Sequence, residues 1–255
     1  MSTYEFQKAL IQLSKNSVLV NSQDKKEFLK QYDLNQKEYL QLDKLISSKY
    51  VNNFSDRGLQ KRFAKNVKFV FKTILSILGE DFIYHIYKDD FEPSCLYNNN
   101  NFTPKHFKEF LEQHSKIKSL NIDLNVLSQL MDYEWNLHFV FNGFIDDSWN
   151  PKHNSVLIKN SPIELCSFSF SVPELIENIE NTNWEQAYTE IEYRDCHYLI
   201  TRYINDGEEE LGEFEIDHET FVFLKDQKTN PEVITELPAS YNDLVDLGIC
   251  KKPTH

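Results

Sequence analysis

Cys196 and His197 stand side by side, and a thiol beside an imidazole is the pairing from which a nucleophile and its base are made. The surrounding residues read as a strand, in which successive side chains point to opposite faces, so the two do not form a dyad. Asp132 and Glu134, within MDYEW, are carboxylates that general acid–base chemistry would use together. Two apart on a helix, they face different directions, and solvated or capping roles are expected instead. His138 shares an apolar stripe with Trp135 and reads as a hydrogen-bonded core histidine. The four cysteines (Cys95, Cys166, Cys196, Cys250) are scattered, with no CxxC and no histidine at metal spacing. Reduced, partly buried thiols are therefore expected, not a disulfide framework or a zinc site. GxSxG, HExxH, GxxxxGK and GxGxxG are all absent, so these residues point to no enzyme.

Binding is the better question. From Asp217 to Cys250 the chain reads as three short helical patterns separated by turn signals, with Gly248 closing the last. That is the layout of a winged-helix or helix-turn-helix module. Within it two basic residues (Lys225, Lys228) face seven acidic ones (Asp217, Glu219, Asp226, Glu232, Glu236, Asp243, Asp246). The imbalance extends further. Residues 1–150 hold 19 Lys+Arg and 19 Asp+Glu, whereas residues 151–255 hold 8 and 21, which accounts for the whole net charge of −13. Such a surface repels the phosphate backbone that dominates nucleic-acid affinity, so no nucleic acid is expected as a partner. One basic stretch exists, with eight Lys+Arg from Lys44 to Lys72 and Asp56 as its one acid. It reads as the solvated face of amphipathic helices, or as a surface for an anionic protein partner.

The elements that must position these residues change character midway. Apolar stripes at helical spacing run through Phe6, Leu10 and Leu13, and again through Tyr39, Leu42, Ile46 and Tyr50. Phe63, Val67, Val70, Ile74 and Leu78 predict one helix from Arg62 to Leu78, with Gly79 as its C-cap. A helix follows over Glu80–Asp90, and another over about Asp123–Asn142, with Leu124, Leu127, Met131, Trp135 and His138 on one stripe. The turn-rich Gly143–Asn154 then marks a domain boundary. Beyond it Glu164–Ser171 alternates like a strand and a short helix starts at Pro173. Gln186–Asp195 and His197–Ile204 are rich in Tyr, Ile and Thr and also read as strands. Asp206-Gly207 signals a hairpin, Asn230-Pro231 opens the second of the three closing helices, and Ser240 caps the third. The expected fold class is α+β. An N-terminal helical bundle (1–148) precedes a small β-sheet plus three-helix, winged-helix-like domain (155–255). No apolar run approaches the ~18 residues that cross a membrane, and no secretion signal opens the chain. Cytoplasmic residence and no membrane partner are expected.

LSILGEDF, EPSC, FKEFLEQH and LSQLMDYEW follow one another in the first half, and FEIDHETFVFLKDQKTNPEVITELPASYNDLVDLGIC closes the second. In this order the pieces, covering about residues 60–252, resemble the helical domain and closing pattern of HvfC-like proteins, with MbnC-like partners more distant in role. The resemblance implies a non-catalytic partner subunit of a multinuclear non-haem iron-dependent oxidative enzyme (MNIO) that modifies ribosomally made (RiPP) peptides, most simply at cysteines. It implies a heterodimer with the oxidase, a PqqD-like module that recognises the precursor peptide's leader, and iron in the enzyme only, with no cofactor in this chain. The first 60 residues fall outside the pattern.

The physical account of leader recognition is strand addition, in which an extended peptide completes an exposed sheet edge. Candidate peptide-binding residues are Tyr198, Ile200, Arg202 and Ile204 on one strand, with Leu244 and Leu247 on the third closing helix. Arg202 would pair with a carboxylate of the peptide or of its own hairpin. The alternative is a DNA-binding transcriptional regulator that uses the closing helices, but Ser240–Gly248 carries no Lys or Arg for such a role.

Overall fold

The computed structural model describes residues 3–15, 27–47, 59–91, 103–143, 162–205, 208–229 and 237–251. The fold is mixed α+β, and the chain divides into two compact units, residues 1–121 and 122–255. The break therefore comes before the long helix carrying MDYEW, not after it at residues 148–155. That helix packs on the strands of the second unit.

In the first unit, α1 (Thr3–Lys15) and α2 (Gln36–Ser47) close a small core of Ala9, Phe28, Leu29 and Leu42, with Phe6, Leu10 and Tyr39 packed against it. Asn35 and Glu38 cap α2 reciprocally, each side chain accepting the other's backbone N–H at 2.9 and 3.0 Å. The single helix expected over Arg62–Leu78 is interrupted. Ala64–Lys68 forms a π-helix in which the Phe69 N–H reaches Ala64 O, and α3 (Lys72–Leu78) restarts after Phe71. The extra residue turns Phe69 out to solvent while Val67, Val70 and Phe71 stay buried. Gly79 ends α3 at φ 88°, as its position suggested, and α4 (Glu80–Asp89) follows directly. α5 (Thr103–Gln113) and α6 (Ser115–Lys118) complete the unit around an aromatic core in which Tyr87, Phe91 and Phe107 meet edge to face or tilted.

The second unit opens with α7 (Leu124–Phe141), whose N-cap Asp123 accepts the N–H groups of Asn125 and Val126. β1 (Ile163–Phe170), β2 (Tyr193–Asn205) and β3 (Glu208–Ile216) form an antiparallel sheet in the order β1-β2-β3. Between β1 and β2 lie α8 (Val172–Asn181) and α9 (Trp184–Thr189). Residues 186–189, expected in a strand, are thus helical. Asn183 starts that helix by accepting the Gln186 N–H at 3.0 Å, and this local bond overrides a strand-like composition. After β3 come α10 (His218–Thr229) and α11 (Tyr241–Asp246). The second of the three closing helices, the run of four asparagines at 98–101, Cys95, the 144–154 junction and Asp206-Gly207 lie outside the described residues.

The sheet is covered on both faces. On one, α7 brings Tyr133 against Phe168 and Tyr198, with ring centroids 6.1–6.4 Å apart. On the other, Ile163, Leu199 and Ile216 meet Phe221 and Leu224 of α10, Tyr241 and Leu244 of α11, and Ile249 and Cys250. Gly248 (φ 71°) turns the chain after α11 so that Ile249 can reach this core. Ser240 stands at the N-cap of α11, but its hydroxyl turns to Asp217 and Thr220 at the start of α10 instead of bonding its own helix.

Candidate peptide-binding edge of the sheet

An extended ligand needs a strand with one side unpaired, and β2 does not qualify. It lies in the middle of the sheet, bonded to β1 on one side and β3 on the other. Tyr198 and Ile200 are buried, at 3% and 0% exposure, on the face covered by α7. Leu244 is buried on the opposite face against Leu199, so the structure does not bring it together with Tyr198 and Ile200. Leu247, on the turn after α11, is 42% exposed. Ile204 pairs with Glu209 in the ladder; its side chain lies outside the described residues. Arg202 settles on the internal option. Its guanidinium binds Glu209 of its own hairpin at 2.8 Å and lies where a Cβ on Gly143, just past the end of α7, would come within 3.2 Å. A cation so near a helix C-terminus is favoured by the helix dipole.

The outer edges belong to β1 and β3, and they differ. β1 has four of its eight residues buried and one, Ser167, exposed. Its irregular residue, Ser169, falls at the register shift between Phe168 and Phe170, and Gln129 of α7 takes its N–H at 2.7 Å. The N–H left over by the bulge is thereby satisfied. β3 is the exposed edge, since Glu208, Glu209, Glu210, Leu211, Glu213 and Glu215 all face solvent. Among the described residues no further strand pairs with it.

Five of the nine β3 residues are glutamates, and the chain's own donors organise four of them. Arg194 reaches Glu215 at 2.6 Å, Arg202 holds Glu209, Tyr203 donates to Glu210 at 3.0 Å, and the Tyr133 hydroxyl donates to Glu213. Ion pairs this exposed add little to stability, so they orient the carboxylates more than they stabilise the sheet. The Tyr133 contact differs because the tyrosine is buried. Burial, and then the Glu213 carboxylate, push the phenol far above its ordinary range, so it remains a donor. Although Glu213 is exposed as a residue, its carboxyl is partly desolvated, which raises it, and the bond from Tyr133 offsets part of that rise.

Residues with other chemical potential are spoken for. Cys196 and His197 do lie on opposite faces of β2. Burial pushes the Cys166 and Cys250 thiols up to about 12 and raises Cys196 as well, leaving little thiolate at neutral pH. His138 is half-buried beside Trp135 and Asn142, and burial lowers its pKa. Glu134, expected in a solvated or capping role, is only 7% exposed. No group of three or more metal-ligating side chains occurs among the described residues, and no described helix is long and apolar enough to cross a membrane. The sequence offers LGEFEI, after the hairpin signal, as the edge strand, and the structure extends it back to Glu208. What was missing was that the middle strand of a three-stranded meander has no free side. No protein-family model and no curated protein matches the sequence.

Proposed function

We propose that the chain is a non-catalytic, cytoplasmic partner protein that holds an extended precursor peptide for an iron-dependent peptide-modifying oxidase. In this reading β1–β3 with the closing helices form a winged-helix-like recognition module, and the leader adds to the sheet beside β3. One observation carries it: β3 is a solvent-facing edge strand, paired with β2 on its inner side, with no described strand on its outer side, and backed by a packed three-layer unit. Main-chain bonds to such an edge supply affinity, and alternating side chains supply specificity. On one face a bound strand would meet Leu211, Glu213 and Glu215, and on the other Glu210 and Phe214, so the fitting peptide is basic with apolar residues between. Resemblance of the helical segments to HvfC-like partners supports the oxidase as the second partner, bound as a heterodimer.

Isolating the protein from its host under mild conditions tests the reading. The expected result is co-purification of an iron-containing oxidase and a small basic peptide, with no iron retained by this chain alone. Recovery of neither, or salt-dependent binding of the chain to duplex DNA, contradicts it.

A further inference from the structure

His197 and His218 make a contact that peptide binding does not require. His197, on β2, is 7% exposed and stacks on Phe221 with ring centroids 4.6 Å apart and planes 17° from parallel. Its Nε2 lies 3.0 Å from Nδ1 of His218, the first residue of α10. Its other nitrogen, Nδ1, is buried and meets no hydrogen-bond partner among the described residues.

The unpartnered Nδ1 favours one placement of the proton. Two ring nitrogens at 3.0 Å share one hydrogen, so one ring donates and the other accepts. A buried N–H without a partner is costlier than a buried lone pair without one. By this argument His197 carries its proton on Nε2 and donates to Nδ1 of the exposed His218. Protonating His218 at Nδ1 removes the acceptor and sets N–H against N–H. Letting His218 donate instead drives the His197 proton to Nδ1, into the site with no acceptor. Neither form of the pair takes up a proton without loss.

We propose that the His197–His218 pair is a proton-operated latch. It holds the start of α10 against β2 at the corner where edge strand β3 turns into that helix. Closed, it fixes the Ile216–His218 corner; protonated, it releases the first turn of α10 from the sheet. The charged groups around it are few. Asp195, two residues back on the same face of β2, and Asp217, the residue before His218, both favour protonation. Asp217 is already engaged by Thr220 and Ser240. Glu219 is exposed in the first turn of α10, and Lys225 lies 5.7 Å from the Phe221 ring centre. β1 and β3 contribute Ser167 and Ile216 opposite His197. Burial, and then the neighbouring His218, outweigh the two aspartates and lower the His197 pKa. A lowered folded-state value means that stability is full above the unfolded value of 6.5 and is lost as pH falls from there through the folded value.

Long-range nitrogen NMR of the imidazoles in the full chain, titrated from about pH 7.5 to 5 around the ordinary histidine value, tests the latch. Amide exchange of α10 is followed in parallel. The expected results are a His197 Nε2–H tautomer, a midpoint below that of a free histidine, and several-fold loss of protection in the first turn of α10 across the range. His197→Phe keeps a ring on Phe221 and should flatten that pH dependence. His218→Ala leaves His197 in place and should raise its midpoint, which keeps the test available if His197→Phe does not fold. An Nδ1–H tautomer in His197, a midpoint unmoved in His218→Ala, or pH-independent protection in the native chain would each overturn the proposal.

Discussion

Replacing Tyr241 by alanine is expected to destabilise the sheet-bearing unit by about 3–5 kcal/mol, the range for truncating a buried aromatic. Tyr241 is fully buried where α11 meets the sheet, and it meets Phe223 edge to face at 5.4 Å. Its hydroxyl donates to the Lys251 carbonyl at 2.6 Å, tying the chain end back onto the core. A domain stable by about 5–15 kcal/mol loses much of its margin to one such change. Tyr241→Phe keeps the ring and gives up one hydrogen bond, at about 1 kcal/mol. Urea unfolding of both variants, followed by circular dichroism, separates the contributions. Near-identical losses in the two would mean that the hydroxyl, not the packed ring, carries the effect.

Gly212→Val should cost about 1–3 kcal/mol, as overpacking does, and the damage should centre on the β2–β3 hairpin. The backbone at Gly212 is ordinary; the crowding comes from side chains. A Cβ there would lie 2.3 Å from one carbon of the Phe214 ring and 2.9 Å from Tyr203. These two rings meet edge to face at 5.5 Å directly over the glycine. Both pack against the core under α10 and α11, so neither swings away without uncovering it. Hydrogen exchange should show β3 amides losing protection while those of α7 hold. Unchanged β3 exchange would show that the rings yield freely, and the edge would then be less firmly backed than described.

The sequence announced local structure better than arrangement. Glu164–Ser171 declares β1 by alternation, and Gly79 and Gly248 end their helices where a left-handed residue is needed. Cys196 and His197 face apart because strand geometry leaves no choice. Composition alone misled at 186–189, where Tyr and Thr suggested a strand but the Asn183 cap begins a helix. The apolar spacing of 62–78 fits a continuous helix and does not reveal the extra residue accommodated at Ala64–Lys68.

The strand and the helix that carry the candidate residues were legible; which of those residues share a face was not. The candidate residues come from one strand and one closing helix, yet Tyr198 and Leu244 lie on opposite faces of the sheet. Which face a helix covers depends on contacts between residues far apart in sequence, and periodicity within each segment does not carry that information. Arg202, expected to pair with a carboxylate of the peptide or of its own hairpin, pairs with Glu209 beside the end of α7. The acidic excess had a visible concentration at EEELGEFEI. Reading it as an edge required knowing that β2 is flanked on both sides.

Selection of short random peptides displayed on phage against the immobilised protein, followed by hydrogen exchange of the full chain with the peptides recovered, tests strand addition at β3 most directly. The account predicts binders with lysine or arginine at alternate positions, and new protection confined to amides of Glu208–Ile216, with β1 unchanged. Protection that appears on β1 or along α11 while β3 exchanges as before would contradict it, as would an edge that recovers no peptide at all.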